Sequence, residues 1–187
     1  METNLTQPMV LLLRMVFDIA IIFLLLRFFL QAARADFYNP ITQSIVRLTN
    51  PMLEPLRSFI PAVRGQDSAS MVAAILLALL FLLLAYTITG GVSSILPLLW
   101  LAPLHVLEVL LDMMFWGTII HAVLSWFPNA QRAPAARMLD PLITPLLRPI
   151  RRILPDLGGI DLSPIALLLA VQMAKLVLLP VLVGLAL

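Results

Sequence analysis

The sequence contains no cysteine. Disulfide bonds, thiolate-bound metals, haem attached through thioethers and cysteine nucleophiles are therefore excluded. Histidine is scarce as well. The two histidines, His105 and His121, lie sixteen positions apart, about 24 Å along a helix, too far to share one metal ion. No nucleophile lies at a productive spacing from a base either. We therefore expect neither an enzyme nor a cofactor-binding protein.

Charged residues are also few. Only 12% of the 187 residues are Asp, Glu, Lys or Arg, and 61% are hydrophobic, which gives a mean hydropathy of +1.04. A soluble domain carries about 25% charged residues, so the composition predicts an integral membrane protein. The net charge of +2 does not indicate nucleic-acid binding, because the densest basic segment has no interleaved aromatic residues and no known nucleic-acid motif.

Four apolar stretches are long enough to cross a membrane. They cover residues 10–33, 71–88, 104–127 and 164 to near the C-terminus. Each is close to the roughly 20 residues that span about 30 Å of hydrocarbon. A short uncharged connection that contains Pro97 and Pro103 joins the second stretch to the third. We therefore expect an all-α membrane protein with four transmembrane helices.

An internal repeat relates the two halves of the chain. A shift of 94 residues, without gaps, superposes Asp18 on Asp112, Pro40 on Pro134, Pro51 on Pro145, Leu53 on Leu147, Pro55 on Pro149, Arg57 on Arg151 and Asp67 on Asp161. One constant shift that holds through several prolines indicates a structural repeat. The chain is therefore divided into two tandem units, residues 1–93 and 94–187, and each is a helix, an arm and a second helix.

The arms, residues 34–70 and 128–163, are unlike solvated linkers, because both remain rich in Leu, Ile and Pro. Several of their prolines are four residues apart, and each proline removes an N–H donor and disfavours helix just before it. We expect short amphipathic helical turns, broken at the prolines, that lie in the membrane interface. The alternative is a proline-rich connector that packs on the bundle.

Arginine is frequent in both arms and absent from residues 89–103. The positive-inside rule then predicts that both arms are cytoplasmic and both termini periplasmic, so that the two repeats are parallel. Each basic residue near the membrane surface adds about 1 kcal/mol of attraction to anionic lipid. The arm residues expected to face lipid or a protein partner are Arg57, Arg148, Arg151 and Arg152.

Several ionisable residues lie inside the spans, where an unpaired charge costs several kcal/mol. Asp112 and Lys175 lie about 12 and 16 Å from opposite boundaries of the membrane, so their depths nearly coincide and we predict that they pair. Asp18 has two candidate partners, Arg14 at helical spacing and Lys175 shared between the repeats. The cluster is either a structural clamp or part of an ion or proton path.

Two further ionisable residues lie near the arm ends of their spans. Arg27 and His121 are superposed by the same shift of 94 residues. Long polar side chains at such positions extend toward the headgroups. We therefore expect both to reach the interface rather than to form a site.

The second arm resembles a known family. Ser125-Trp126-Phe127, the segment TPLLRPIRRILP at 144–155 and the segment GGIDLSP at 158–164 closely resemble the YggT family, also called YlmG, of bacterial and plastid membrane proteins. The first half resembles a more divergent second copy.

The glycine-containing motif suggests local roles. Gly158 and Gly159 allow the arm to turn back into the bilayer, and Asp161 and Ser163 cap the fourth span, with Pro164 at its first helical position. Asp67 is expected to act similarly in the first half.

The resemblance implies an inner-membrane protein with a supporting role in cell division, envelope or osmotic homeostasis, and carries no catalytic residue with it. We therefore expect a non-enzymatic scaffold or assembly factor that binds anionic lipid and another membrane or division protein. The alternative is a small ion or solute transporter, or a channel component, with a polar path at Asp18, Asp112 and Lys175. Homo-oligomerisation stays open.

Overall fold

The computed structural model describes residues 5–62, 65–91, 94–127, 129–154 and 161–184. This part of the chain is helical and contains no β-strand. The helices are α1 (Thr6–Ala32), α2 (Pro40–Arg57), α3 (Ser68–Thr89), α4 (Leu96–Ser125), α5 (Pro134–Ile153), α6 (Ser163–Met173) and α7 (Leu179–Gly184). A 3₁₀ turn, Ala130–Arg132, precedes α5, and a π-helical turn, Ala174–Leu178, joins α6 to α7.

Four helical segments are long and apolar enough to cross a membrane, which confirms the predicted fold class. They are α1, α3, α4 and the continuous segment Ser163–Gly184. The third span begins at Leu96, eight residues before the predicted start. Pro97 lies in the first helical turn, where backbone N–H groups have no partner within the helix, so that a proline there removes no hydrogen bond. Pro103 lies inside α4 and removes only one hydrogen bond of the helix.

The core of the bundle is built on small residues of α3. Close approach of helix backbones in a membrane needs such residues, because lipid provides no hydrophobic force between helices. The buried alanines of α3 pack against large aliphatic side chains of α1 and against residues of α4. These core residues are Ala69, Ala73, Ala74, Ala78, Ile21, Leu24, Leu25, Ala102, Val106 and Val109. The first repeat is therefore packed directly on the first helix of the second.

Each arm contains one long helix instead of several short turns. Helix α2 has 18 residues and α5 has 20, and both continue through their internal prolines. The prolines fall on one face because they are spaced by four. Four of the five internal prolines, Pro51, Pro55, Pro145 and Pro149, are exposed, and Pro141 is half-buried. Most of the carbonyl groups that lose their helical partners therefore lie on the outer side, where polar surroundings can satisfy them.

The arm helices pack on the bundle through their opposite face. Leu53 of α2 and Leu147 of α5 are both 0% exposed, and Ile143 lies against Gly117 of α4, where a Cβ would come within 3.3 Å of its Cδ1. The apolar side of each arm helix therefore packs against protein, as expected for a proline-rich connector that packs on the bundle. The two arms also meet: the side-chain amide of Asn39 donates to the Pro134 carbonyl at 2.7 Å.

Candidate functional site

The ion-paired side chains of the protein form two groups, one inside the membrane spans and one between the arm helices and the spans. We call the group inside the membrane spans the charge cluster, and its members are Arg14, Asp18, His105, Glu108, Asp112 and Lys175. We call the two ion pairs that tie an arm helix to the following span the arm anchors. They are Arg57–Asp67 and Arg151–Asp161.

The structure brings Asp112 and Lys175 together. Lys175 Nζ lies 2.5 Å from Asp112 Oδ1, as their matching depths predict. Lys175 stands on the π-helical turn, and Pro180 follows it. Pro180 has no N–H to donate to the carbonyl four residues earlier. π-Helical turns within α-helices occur frequently at functional sites.

Asp18 contacts only one of its two expected partners. Its Oδ2 lies 3.4 Å from Arg14 Nε, and its Oδ1 lies 2.8 Å from His105 Nε2. No contact to Lys175 occurs among the described residues. The histidine comes from α4, so Asp18 joins the first helix of one repeat to the first helix of the other.

Sequence reasoning missed Glu108. Its carboxylate lies 2.9 Å from Arg14 Nη2 and 3.5 Å from His105 Nδ1. A signal was available in the repeat, because Glu108 occupies the position equivalent to Arg14 after the shift of 94 residues. Opposite charges at one equivalent position, both inside apolar spans, indicate a pair between the repeats.

A cavity of about 670 Å³ opens beside the charge cluster. Its polar lining comprises Arg14, His105, Glu108, Gln172 and Lys175. The apolar lining continues to Val183, next to the last described residue of α7. The eleven positions from Gln172 to Val183 correspond to about 16 Å of helix. The cavity therefore runs from the charges toward the membrane side opposite the arms.

Asp67, the acidic member of the first arm anchor, is buried. Asp67 accepts hydrogen bonds from Arg57, from Arg27 Nε at 3.2 Å and from Ser70 Oγ at 3.0 Å. Burial opposes ionisation of this carboxyl group, but the hydrogen bonds from Arg57 and Ser70 and the two arginine charges together lower the pKa of Asp67. Asp67 makes no capping hydrogen bond to α3, so its contacts are those of an ion-pair centre.

Arg27 does not reach the headgroups, contrary to expectation. It is 7% exposed, and its Nη1 donates to Thr49 at 2.6 Å, to Asn50 at 2.8 Å and to the Val46 carbonyl at 3.1 Å. The arm helix α2 covers it and replaces the headgroup region as its polar surroundings. Arg27 therefore holds α1, α2 and the start of α3 together.

The second arm anchor repeats the first with more exposure. Arg151 Nη2 lies 2.8 Å from Asp161 Oδ2, and Asp161 Oδ1 accepts the backbone N–H of Ser163 at 2.9 Å. Burial raises the pKa of Asp161, but hydrogen bonds from Ser163 and Arg151 outweigh it and lower the pKa. Asp161 thus contacts the first residue of α6. Contrary to expectation, Leu162 and not Ser163 stands at the N-cap position, and Pro164 is the second residue of the helix.

The remaining predicted residues of the second arm fall into two groups. Arg148 and Arg152 are exposed on α5. Gly158 and Gly159 lie outside the described residues.

His121 Nε2 lies 3.3 Å from Asp140 Oδ1 on α5, so that, like Arg27, it contacts the arm rather than the headgroups. Asp140 occupies the position equivalent to Val46, so both side chains reach the same point of their arm helices.

Comparison with known proteins gives a consistent result. The model of the CCB3/YggT family matches residues 6–88 and again residues 100–182, and the second match begins and ends 94 residues after the first.

Three similar bacterial proteins illustrate the extent of the likeness. An uncharacterised protein of Pseudomonas aeruginosa is 43% identical over 155 residues, which cover 82% of this chain and 79% of the relative. An uncharacterised protein of Vibrio alginolyticus is 40% identical over 161 residues, 85% of this chain and 86% of the relative. The uncharacterised protein YggT of Escherichia coli K12 is 40% identical over 159 residues, 84% and 82% of the two chains. No solved structure matches.

Proposed function

The chain belongs to the CCB3/YggT family, and from this premise we propose that it is a non-enzymatic scaffold or assembly factor of the bacterial inner membrane. Four apolar helices make it a multi-pass membrane protein. The observation that carries the proposal is the pairing of the two arm helices into one surface. The Asn39–Pro134 hydrogen bond joins them, and the two arm anchors hold each to the bundle.

This paired surface suits binding to another macromolecule better than chemistry. Its outer side combines exposed arginines with large exposed apolar side chains, among them Leu48, Phe59 and Ile153. Arginine and aromatic residues are enriched in protein interfaces. A surface whose backbone is held in place also loses little conformational entropy when a partner binds. We infer that the surface binds a membrane or division protein.

Lipid is the second expected contact of the arms. Tyr38, Trp126 and Phe127 are exposed near the ends of the spans that lead into the arms, where such side chains settle at headgroup level. Arg148 and Arg152 then lie near the anionic cytoplasmic leaflet, where each adds about 1 kcal/mol of attraction. A cytoplasmic location of both arms is supported by their excess of arginine.

Photocrosslinking in native membranes tests the proposal. Photoreactive residues placed at Arg148 and Ile153 of the full chain should capture one dominant protein. A matched position, Leu96, is equally exposed but lies at the opposite end of the bundle, and it should not capture that protein. Capture of lipid alone at both arm positions would argue against the scaffold.

The predicted sidedness can be tested independently because the chain has no cysteine. Single substitutions Ser44→Cys on the exposed side of α2 and Ser94→Cys before α4 each introduce a unique thiol. A membrane-impermeant maleimide added to intact spheroplasts should label Ser94→Cys and leave Ser44→Cys unlabelled until the membrane is permeabilised. The reverse pattern would place the arms outside.

The cavity beside the charge cluster favours a second candidate, a small ion or solute transporter or a channel component. Asp18, Asp112 and Lys175 belong to that cluster, and the cavity gives it room for a small solute. In that case proteoliposomes should show ion or solute flux that Lys175→Met abolishes. A scaffold would show no flux in the wild-type protein.

A further inference from the structure

Both ring nitrogens of His105 face carboxylates. Nε2 lies 2.8 Å from Asp18 Oδ1, and Nδ1 lies 3.5 Å from Glu108 Oε2. The side chain is 7% exposed, so bulk water does not separate these groups. His105 lies nine positions inside α4, about 13 Å from the start of that helix.

This geometry suits only the doubly protonated ring. A neutral imidazole has one N–H donor and one lone pair, whereas an ionised carboxylate can only accept. One of the two nitrogen–carboxylate contacts would therefore be repulsive in either neutral tautomer. An imidazolium carries a proton on both nitrogens, so it donates a hydrogen bond to Asp18 and attracts the Glu108 carboxylate across 3.5 Å.

The surrounding charges support the same state. The charge cluster holds three carboxylates, Asp18, Glu108 and Asp112, but only two permanent cations, Arg14 and Lys175. A proton on His105 makes the cluster neutral, which matters because uncompensated charge inside a membrane is costly.

Helix α3 adds an aromatic ring and no charge. Phe81 stacks on His105 with ring centroids 5.0 Å apart, a distance at which a cation is attracted to the face of an aromatic ring. The stacking therefore favours the charged imidazole over the neutral one.

The cavity extends from the histidine toward the membrane surface opposite the arms. His105 and Glu108 both line it, and its lining continues to Val183 near the end of α7. Glu108 touches both the ring and the cavity, so it can take the proton from Nδ1 and pass it to water there as hydronium. The reverse sequence reprotonates the ring.

We propose that His105 is an intramembrane proton-binding site that exchanges its proton with water through the cavity, on the membrane side away from the arms. The site is independent of the proposed scaffold, because it lies at the opposite end of the bundle from the paired arm surface. Its ligand is the proton, and Asp18 and Glu108 are the residues that hold the ring in its charged form.

Nitrogen NMR of the full-length protein tests the charge directly. The chain has only two histidines, so ¹⁵N-histidine labelling together with His121→Gln assigns His105. At pH 7.5, where a free histidine is mostly neutral, we expect both ring nitrogens of His105 to be protonated. One unprotonated nitrogen at this pH would overturn the proposal. The wild-type spectrum still contains the His105 signals if the variant fails to accumulate.

A carboxylate-free variant tests the cause. In the double variant D18N/E108Q, we expect His105 to revert to a neutral ring with one unprotonated nitrogen at pH 7.5. A ring that stayed doubly protonated would show that these carboxylates do not hold the proton. If the double variant does not fold, the single variant Asp18→Asn should still lose one of the two N–H signals.

The route is tested with a pair of adjacent leucines. Leu179 lines the cavity, whereas its neighbour Leu178 does not and is exposed on the outside of the helix. Thiols react as thiolates, which form in water and not in hydrocarbon, so a water-soluble maleimide should modify Leu179→Cys at least about tenfold faster than Leu178→Cys. Equal slow rates would show that water does not enter, and would overturn the exchange route.

Discussion

Replacing Asp67 with asparagine should destabilise the protein far more than the same replacement at Asp161. The two residues occupy equivalent positions and pair with equivalent arginines ten residues earlier. The paired arginines, Arg57 and Arg151, are similarly exposed, at 40% and 44%. The aspartates differ: Asp67 is 5% exposed and also contacts Arg27, which is 8% exposed, whereas Asp161 is 44% exposed.

The burial difference sets the magnitudes. Breaking a buried ion pair from one side costs about 3–5 kcal/mol, because a charge is left without its partner. An exposed pair contributes about 0–1 kcal/mol. We therefore expect D67N to lower the unfolding free energy by about 3 kcal/mol or more, about two orders of magnitude in the folding equilibrium constant. D161N should lower it by less than about 1 kcal/mol.

Equilibrium unfolding of the full chain in mixed micelles of a mild and a denaturing detergent measures both values under one condition. The two variants control for each other, since each removes one carboxylate charge at the same point of its repeat. Equal losses, or a larger loss for D161N, would refute the reasoning from burial.

The pH dependence gives a further check of the same residue. The pKa of Asp67 is lowered from its ordinary value of 3.8, so the folded state favours the ionised form. Its contribution is fully present above that value and is lost as the pH falls through the lower folded-state pKa. The difference between wild type and D67N should therefore be constant near neutral pH and shrink as the pH drops below about 4.

Three other predictions follow from single contacts. Lys175→Met leaves the Asp112 carboxylate unpaired inside the span and should lower the unfolding free energy by about 2.5–3.5 kcal/mol, and adding Asp112→Asn should restore most of it in the same detergent titration. Arg148→Gln should weaken retention of anionic lipid about fivefold, as one basic residue contributes about 1 kcal/mol; native mass spectrometry of the protein with mixed anionic and zwitterionic lipid measures this, and an unchanged ratio would exclude the contact. Asn39→Ala should cost about 1–3 kcal/mol because it leaves the partly buried Pro134 carbonyl and Ile41 N–H without their partner, and it should speed amide hydrogen exchange at the start of both arm helices.

Depth along a span could be predicted from the sequence, but rotation about the helix axis could not. Counting residues from the span ends placed Asp112 and Lys175 at one level, and the structure brings them together. The same counting could not show which face of α4 turns toward α1. For this reason His105 and Glu108, the partners of the first repeat's charges, were not predicted.

The arms, too, could be predicted from the sequence only in part. Their existence and their equivalence followed from the shift of 94 residues, because helix, arm and helix recur in one order. Their continuity did not, since each proline alone disfavours helix. Only the placement of four of the five internal prolines on an exposed face makes the unbroken helices acceptable. Arg27 was misjudged for a related reason: its burial depends on α2 folding back over it, which no local pattern reveals.

The contact between Arg14 and Glu108 has a consequence for how such a protein can arise. Two copies of a single repeat, related by a twofold axis along the membrane normal, would bring identical residues together wherever the axis passes. An arginine there would meet an arginine, and a glutamate a glutamate. Arg14 and Glu108 are equivalent positions that touch each other at 2.9 Å, so the two halves of this chain meet there with opposite charges. Fusion of the copies into one chain lets the two halves carry opposite charges at this position. A duplicate of either half could not replace the other, because it would place like charges in contact.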